Sequence, residues 1–498
     1  MPGDQNLVLG IDIGTTSVKV CLVVAGKTVS AAGEGEAAAA PDGHGDRGVV
    51  LARQAKDTAA DIRTSTPNGH EQNVPKILST LHNCISRLPR DLLRQVRHIG
   101  LSGQMHGVVL WQQAAGQRLS LEELMQPDCP VPMSPLYTWQ DSRCSPAFLA
   151  ELPAPVAGSV VHSGYGCATL FWLAKNRPEE LERFTHAATV QDLVTALLCG
   201  LDRPAMSVQT AASWGYCEAA TAAWETDKLA EAGFPVRLLP TIVHSEQSVG
   251  TLADTWEGIP AGTSVGSALG DFQCSVLGTL HGARDAVLNI STSAQIAFVL
   301  PEGFRPDTAD ASSGLSPAVL YFPYFEGRYL AVAASINGGN ALATFIRMLQ
   351  QWTLDLGFHV PQSTLWEKAV ALGLAVGEEA QAGLATVSPT LLGERHDPSM
   401  RAVVSNLEPS NVGLGAVFRA LCKGVVSNLH NMMPRDVFVK HGVQRIVGGG
   451  SALVRNQLLQ AEVAAAYKMP VHFTQSGDAA VGAALAASFQ HPDLRRSP

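Results

Sequence analysis

Several features are missing from this 498-residue chain, and each absence excludes something. Its nine cysteines form no Cys-x-x-Cys pair and no Cys/His zinc spacing. Neither a zinc module nor a disulfide framework is expected, and an odd, dispersed set fits a reducing compartment with the thiols as small buried residues. No uninterrupted apolar run reaches about 18 residues, so no transmembrane helix is expected. No basic region followed by an apolar core opens the sequence, because Asp12 interrupts the first apolar run; a cytoplasmic protein is the expectation. There is no long basic run, and the net charge is −9. This argues against nucleic acid or an anionic membrane as the main partner and requires any anionic substrate to find a local positive site. What is present is 46% hydrophobic against 16% charged residues, the balance of a folded globular protein. The length suffices for two large domains, each with its own core.

The chain is organised around Leu9-Gly10-Ile11-Asp12-Ile13-Gly14-Thr15-Thr16-Ser17-Val18-Lys19. Leu7, Leu9, Ile11 and Ile13 are apolar at period two, which predicts a strand with one buried face, a tight turn and a second strand. Gly14 leaves the turn without a Cβ to block a bound group. Asp12 is the only charge in the apolar strand, and a buried carboxylate needs a partner, for which a hydrated cation is suited. Glycine amides and the Thr15 and Thr16 hydroxyls suit phosphate; an ordinary hairpin with a polar turn is the plain alternative. The pattern returns as Leu288-Asn289-Ile290-Ser291-Thr292-Ser293-Ala294, with Asn289 in place of the aspartate and Ser291 in place of the glycine. Two related hairpins, one per half, predict a duplicated fold with a ligand touched by both turns.

Between and after these hairpins lie further candidates. Residues 31–48 and 301–317 read as loops, and 112–135 as a Pro-rich polar insertion. Helical faces are expected over 74–88, 169–176, 190–199 and 413–433. A short strand at 99–101 runs into Ser102-Gly103-Gln104-Met105-His106-Gly107. In Tyr137-Thr138-Trp139-Gln140-Asp141-Ser142-Arg143, an aromatic, a carboxylate and a guanidinium alternate. On one face of an extended segment they would suit a polyol; a surface strand with an ion pair is the alternative. Asp271 follows a small-residue strand, placed either for chemistry or as a helix cap. Asn337-Gly338-Gly339-Asn340 opens a helix. Gly448-Gly449-Gly450-Ser451 joins a strand to a helix, permitting close approach of a ligand or serving as a tight connection. The small-residue run 477–487 is expected to pack closely. Pro260 and Gly262 mark the break between domains 1–263 and 264–498, and a hinge at 259–264 is expected to close over both substrates.

Taken in order, Asp12–Lys19, Gln104–His106, Trp139–Arg143, Gly270–Gln273, Thr292–Ser293 and Gly448–Asn456 resemble the FGGY carbohydrate kinases over nearly the whole chain. The resemblance implies an α/β fold of two ribonuclease-H-like domains, akin to actin, hexokinase and the Hsp70 ATPase domain, with an interdomain cleft. It implies ATP-dependent phosphorylation of a sugar's terminal hydroxyl, with ATP and Mg²⁺ as cofactors, and a monomer or homodimer. The phrases Ala212-Ser213-Trp214-Gly215-Tyr216 and Gly393-Glu394-Arg395-His396 point to sedoheptulose as acceptor, with another ketose or polyol such as xylulose or ribulose as the alternative. By the same resemblance Asp271 is the general base. Asp12, Gly14, Thr15, Thr16 and Lys19 hold transferring phosphates, with Asp12 and Asp271 as metal ligands. Thr292 and Ser293 meet the γ-phosphate, and Gly339, Asn340, Gly449, Gly450, Ser451 and Asn456 hold the nucleotide. Gln104, Met105, His106, Trp139, Asp141, Arg143, Asp271, Phe272 and Gln273 contact the sugar. Two departures stand out: Ser291, where many relatives carry glycine, and Lys423-Gly424, where many carry Glu-Gly. A nucleotide-switched binding protein and an inactive sugar sensor are the rival readings. A sugar site beside Asp271 argues against the first, and the presence of Asp12, Thr15 and Asp271 argues against the second.

Overall fold

The computed structural model describes residues 7–24, 48–126, 128–155, 159–280, 282, 284–306, 316, 318–377, 380–381, 383–394, 397, 399–474 and 477–490. The expected loops at 31–48 and 301–317 therefore fall largely outside the described residues. The chain forms two compact units, one of 1–278, 322–327 and 478–498, the other of 279–321 and 328–477.

The first unit is built on the predicted hairpin, strands β1 (Leu7–Ile13) and β2 (Ser17–Val24) in antiparallel register. β3 (Val49–Asp57) extends the meander beyond β2. On the other side β4 (Val96–Gly103) runs parallel to β1. Past β4 lie β5 (Ser248–Thr251) and β6 (Ser264–Gly266), in the order β5-β6-β4-β1-β2-β3, while β7 (Leu269–Gly270) also pairs with β4. Residues 264–270, expected to open the second domain, are thus hydrogen-bonded into this sheet, because β6 and β7 both run parallel to β4.

Period two in β1 predicts one buried face, but every residue of β1 is buried. Helix α1 (Val74–Ile85) places Ile77, Leu78, Leu81 and Ile85 in the main core with Leu7, Leu9, Ile11 and Ile13. The other face, carrying Val8, Cys21 and Val23, is covered by Ala480, Ala484 and Ala487 of the C-terminal helix Ala479–Gln490. Its small residues let two backbones meet. A Cβ at Gly10 would lie 2.0 Å from the Ala480 carbonyl oxygen, and one at Gly100 would lie 2.1 Å from that of Ala483. The segment 112–135 also differs from a polar insertion. Ser120 caps a short helix, Leu121–Leu124, and Leu119, Leu121 and Leu124 join the main core.

The second unit repeats the plan. β8 (Asp285–Ile290) and β9 (Ala294–Val299) form the second predicted hairpin. With β10 (Val319–Pro323), β11 (Tyr329–Ser335), β12 (Arg445–Gly449) and β13 (Val471–Phe473) the sheet order is β10-β11-β9-β8-β12-β13. β12 runs parallel to β8 as β4 does to β1, and β11 is antiparallel to β9 as β3 is to β2. Helices Gly339–Asp355 and Leu414–Met432 bury Leu342, Ile346, Phe418 and Val425 against it. Among the described residues no helix is long and apolar enough to cross a membrane.

Gly100→Ala should lower stability by about 1–3 kcal/mol, the usual cost of overpacking, because the new Cβ meets backbone that cannot rotate away. Urea denaturation would read this as a shift in midpoint. An unchanged midpoint would mean that helix and sheet are not in the close contact described.

Candidate active site

The first unit gathers carboxylates at the end of its central strands. Asp12, 5% exposed, lies opposite Lys19 across the hairpin and opposite Ser102 on β4. The Ser102 hydroxyl donates to Asp12 Oδ1 at 3.2 Å. Burial pushes the Asp12 carboxyl up to about 6; Lys19 opposes the shift and Asp478 adds to it. Asp271 opens the helix α2 (Asp271–Thr279) directly after β7. Burial and then the charge of Asp12 push its carboxyl up to about 7, against the pull of Lys19 and a hydrogen bond from the Phe272 N–H to Oδ1 at 2.7 Å. That bond runs to the next residue rather than two or three further on, so Asp271 is not spent as an ordinary cap. Two carboxylates that repel each other beside one lysine can hold a cation or move a proton near neutral pH. Among the described residues no group of three or more His, Cys, Asp or Glu side chains is placed to hold a metal ion.

The hairpin turn connects to the other polar candidates through Gln72, which the sequence did not single out. Its Nε2 donates to the Thr15 carbonyl at 2.8 Å and to Asp61 at 2.9 Å, and its Oε1 accepts from Gln104 Nε2 at 3.1 Å. Trp139, 37% exposed, donates its indole N–H to Thr15 Oγ1 at 2.9 Å. Gly14 sits close to the turn's own backbone: a Cβ there would lie 3.1 Å from Ser17 O, a tight contact, and 3.8 Å from Asp12 Oδ2. Thr16 is exposed at the turn. Met105 and Gln273 crowd the same strand end, since a Cβ on Gly270 would lie 2.3 Å from Gln273 Oε1 and 2.8 Å from Met105 Sδ. Gln104 Oε1 and Gln273 Oε1 are buried without a hydrogen-bond partner. His106 adopts φ of +73°, its ring stacked on Tyr165 at 4.3 Å and its Nδ1 2.8 Å from the Ser213 carbonyl oxygen. A non-glycine residue held there is a strained position of the kind found at functional sites.

The alternation expected for Trp139, Asp141 and Arg143 does not form. Asp141 donates its N–H to the Thr138 carbonyl at 3.0 Å, and this turn breaks the extended segment. Trp139 faces outward while Asp141 and Arg143 are buried. The Arg143 Nε and Nη2 each donate to an Asp141 carboxylate oxygen at 2.8 Å, Nη2 also reaches Glu71 at 2.7 Å, and the guanidinium lies 4.5 Å from the Tyr137 ring centroid. Burial works against the Arg143 cation, but the bonds from Asp141 and Glu71 outweigh it and raise its pKa. Asp141 Oδ2 further accepts the His70 N–H at 2.8 Å. This pair braces the loop that carries Trp139.

The second unit contains a cavity of about 890 Å³. Its mouth is formed by Thr292, Gly339, Asn340, Ser451 and Asn456, all named as nucleotide residues from the sequence, together with Ser291. Trp366, Leu342, Val370 and Leu374 supply apolar wall, and Arg347 and Arg455 supply positive charge alongside the acidic Glu367. The helix Gly339–Asp355 begins at this edge, where its first N–H groups favour an anion. Gly339 and Asn340 instead donate theirs to the carbonyls of Ser291 and Thr292, at 2.8 and 3.1 Å, which locks the second hairpin turn to the helix start. Ser291, standing where many relatives were expected to carry glycine, adds a contact glycine cannot make: its hydroxyl accepts the Ser451 N–H at 3.2 Å. Ser293 flanks the turn outside the cavity wall, and so do Gly449 and Gly450. Gly450 has φ of +95°, and a Cβ there would lie 2.3 Å from Asn289 Oδ1. Asn456 Oδ1 caps the helix Gln457–Tyr467 by accepting from Leu458 and Leu459. Gly424, beside Lys423, is a packing glycine whose Cβ would lie 2.2 Å from the Val387 carbonyl oxygen. Arg395 and His396 lie outside the described residues.

Ser102, Gln72, Asp478 and the cavity wall at Trp366 went unremarked in the sequence. Ser102 and Asp478 stood in stretches already marked, Asp478 in the small-residue run 477–487 read for packing and not for charge; Gln72 and Trp366 meet the site from distant segments with no local signal.

With this geometry in view, comparison with known proteins is direct. The N-terminal domain of the FGGY family of carbohydrate kinases matches residues 45–278, and the C-terminal domain of that family matches 304–491. The chain belongs to the FGGY family of carbohydrate kinases and is a sugar kinase. It is 46% identical over 496 residues to human sedoheptulokinase, covering 99% of each chain. It is 22% identical to xylulose kinase from Klebsiella pneumoniae, over 96% of this chain and 88% of that one. The crystal structure of xylulose kinase from Rhodospirillum rubrum shares the fold, with a TM-score of 0.75 and 20% identity over 97% of this chain and 89% of that one.

The raised carboxyls have a consequence for stability. A buried acid whose folded pKa lies above its unfolded value binds more protons folded than unfolded, so it removes stability as pH rises from about 4 through the folded value. Asp12→Asn should therefore stabilise the protein at pH 8, by about 1–2 kcal/mol after allowing for hydrogen-bond losses, and bring no gain at pH 4. Thermal unfolding of both proteins across this range checks it; a loss of stability at pH 8 would contradict a carboxylate whose burial costs stability once it is ionised.

Proposed function

We propose that the chain transfers the γ-phosphoryl group of ATP to the terminal hydroxyl of sedoheptulose, giving sedoheptulose 7-phosphate and ADP. The observation that carries the acceptor is the 46% identity to human sedoheptulokinase over 99% of the chain, against 22% to a xylulose kinase. The residues on which the catalytic reading rests are Asp271 and Asp12, with Thr15 and Lys19 at the hairpin turn.

A sugar hydroxyl is a poor nucleophile, and phosphoryl transfer depends on position and on neutralised charge. In this reading the sugar lies against Gln104, Met105, His106, Trp139, Phe272 and Gln273. The unsatisfied oxygens of Gln104 and Gln273 suit hydroxyl donors. The Asp271 carboxylate accepts the proton of the terminal hydroxyl as its oxygen attacks the γ-phosphorus and ADP departs. A carboxyl poised at about 7 is matched to that task. Asp141 and Arg143 act by holding the Trp139 loop. The second unit's cavity takes the nucleotide, with Thr292 and Ser293 at its phosphate end and Gly449 and Gly450 shaping the adjoining turn. Asp12 and Asp271 are the residues that would hold Mg²⁺, which supplies charge neutralisation on the transferring phosphates. Two carboxylates are enough for a cation that keeps waters and phosphate oxygens as its other ligands.

ADP production with sedoheptulose, xylulose, ribulose and glycerol tests the acceptor, and sedoheptulose should give the highest kcat/KM. Preference for a shorter sugar would replace the acceptor while leaving the kinase reading intact. Asp271→Asn should lose about 10²–10⁴-fold in kcat while still binding ATP. In the unmodified enzyme kcat/KM for the sugar should fall as pH drops, since the base acts deprotonated, and the fall should move to lower pH as Mg²⁺ is raised, since a cation beside Asp271 opposes the rise that burial gives its carboxyl. Near-full turnover in Asp271→Asn would remove Asp271 from the role.

A further inference from the structure

Glu394 lies in a stretch that the sequence singles out and that the mechanism above leaves without a role. It is 1% exposed, in the second unit, and its carboxylate is met by neutral donors. Oε1 accepts from the Ser335 hydroxyl at 2.5 Å, Asn337 Nδ2 at 3.0 Å and Asn428 Nδ2 at 2.7 Å, while Oε2 accepts the Ile336 N–H at 3.2 Å. Three of these donors come from consecutive residues, 335–337, at the end of β11. Asn337 is in turn fixed on both sides of its amide: Nδ2 also donates to the Gly393 carbonyl at 2.7 Å, and Oδ1 accepts the Leu392 N–H at 3.2 Å.

What this network holds is the next turn of chain. Asn340 accepts the Gly338 N–H on Oδ1 at 2.9 Å and donates Nδ2 to the Ile336 carbonyl at 2.8 Å, closing a tight loop over 336–340. That loop bears directly on the second hairpin turn. Beyond the Gly339 and Asn340 bonds to Ser291 and Thr292, a Cβ on Gly338 would lie 2.5 Å from the Ser293 carbonyl carbon, and one on Gly339 would lie 2.4 Å from the Ser291 oxygen. No slack separates the carboxylate from the turn: Glu394 fixes 335–337, these fix 338–340, and 338–340 fix 291–293.

We propose that Glu394 is a positioning residue that sets the phosphate-binding turn Ser291–Ser293 and the helix start at Gly339, and through them the seating of the nucleotide phosphates. This rests on the reading that the second unit's cavity takes the nucleotide. Hydrogen bonds to a charged acceptor are stronger than neutral ones, and a displacement of about 1 Å in a reacting group costs about 10²-fold in rate. A neutral amide at 394 would turn one acceptor into a donor facing other donors.

Glu394→Gln should raise the KM for ATP about 10–100-fold with the KM for the sugar within about twofold. Asn428→Ala, which removes a single donor and is the milder change should Glu394→Gln fail to fold, should raise the ATP KM a few-fold in the same direction. ADP affinity by calorimetry and unfolding temperature are measured alongside. A lowered unfolding temperature with both KM values unchanged in either variant would make Glu394 purely structural and overturn the proposal. Equal rises in both KM values would also overturn it. Failure of the underlying reading looks different: Thr292→Ala and Arg455→Ala would then leave ADP affinity unchanged as well.

Discussion

The C-terminal helix rests backbone to backbone on the central strands, and the arrangement of the first unit depends on that contact. It is possible only because Gly10 and Gly100 carry no Cβ, where one would lie 2.0 and 2.1 Å from helix carbonyl oxygens. The contact covers the second face of β1, so Asp12 ends a strand buried on both sides. It also brings Asp478, immediately before that helix, within electrostatic reach of Asp12. Close packing thus creates an electrostatic problem that a bound cation would relieve.

The two hairpins carry different side chains on one plan. In the first, Asp12 is a buried acid, and the turn beside it carries Gly14, where a Cβ would lie 3.1 Å from Ser17 O. In the second, Asn289 is exposed and neutral, and the turn is tied to the start of a helix whose first N–H groups it occupies. In the proposed reading the acidic edge serves proton transfer and phosphate, and the neutral edge, beside a cavity lined by apolar residues, two arginines and Glu367, takes the nucleotide. Both sheets place a parallel strand beside the first hairpin strand, so the difference lies in side chains and not in topology.

Much of this was legible from local pattern. Alternating apolar residues and paired hydroxyls located both hairpins, the first with a turn glycine and the second with Ser291 in its place, and small residues at 477–487 announced a closely packed helix. Thr292, Gly339, Asn340, Ser451 and Asn456, expected from the sequence to hold a nucleotide, line one cavity: the first four come soon after strands of the same sheet, and Asn456 ends the short helix that Ser451 begins. Illegible were relations between distant segments. Alternation over Tyr137–Arg143 implied a common face, but the turn at Thr138–Asp141 sends Asp141 and Arg143 inward to each other and to Glu71. Gln72, Asp478 and Glu394 act across long stretches of chain, and nothing around them in sequence marks their partners. The strand Ser264–Gly266 pairs back into the first unit, which a break at Pro260 and Gly262 does not foretell.

Hydrogen exchange read by mass spectrometry, with ADP alone and with sedoheptulose alone, tests most directly whether the two edges serve different ligands. ADP should protect amides at 291–293, 338–342 and 451–456 while leaving 104–106 and 139–143 unchanged. Sedoheptulose should protect 104–106, 139–143 and 271–273 and leave the second unit's turn unchanged. Protection of the Gln104–His106 stretch by ADP alone, or of the Gly339 helix start by the sugar alone, would contradict this division of labour.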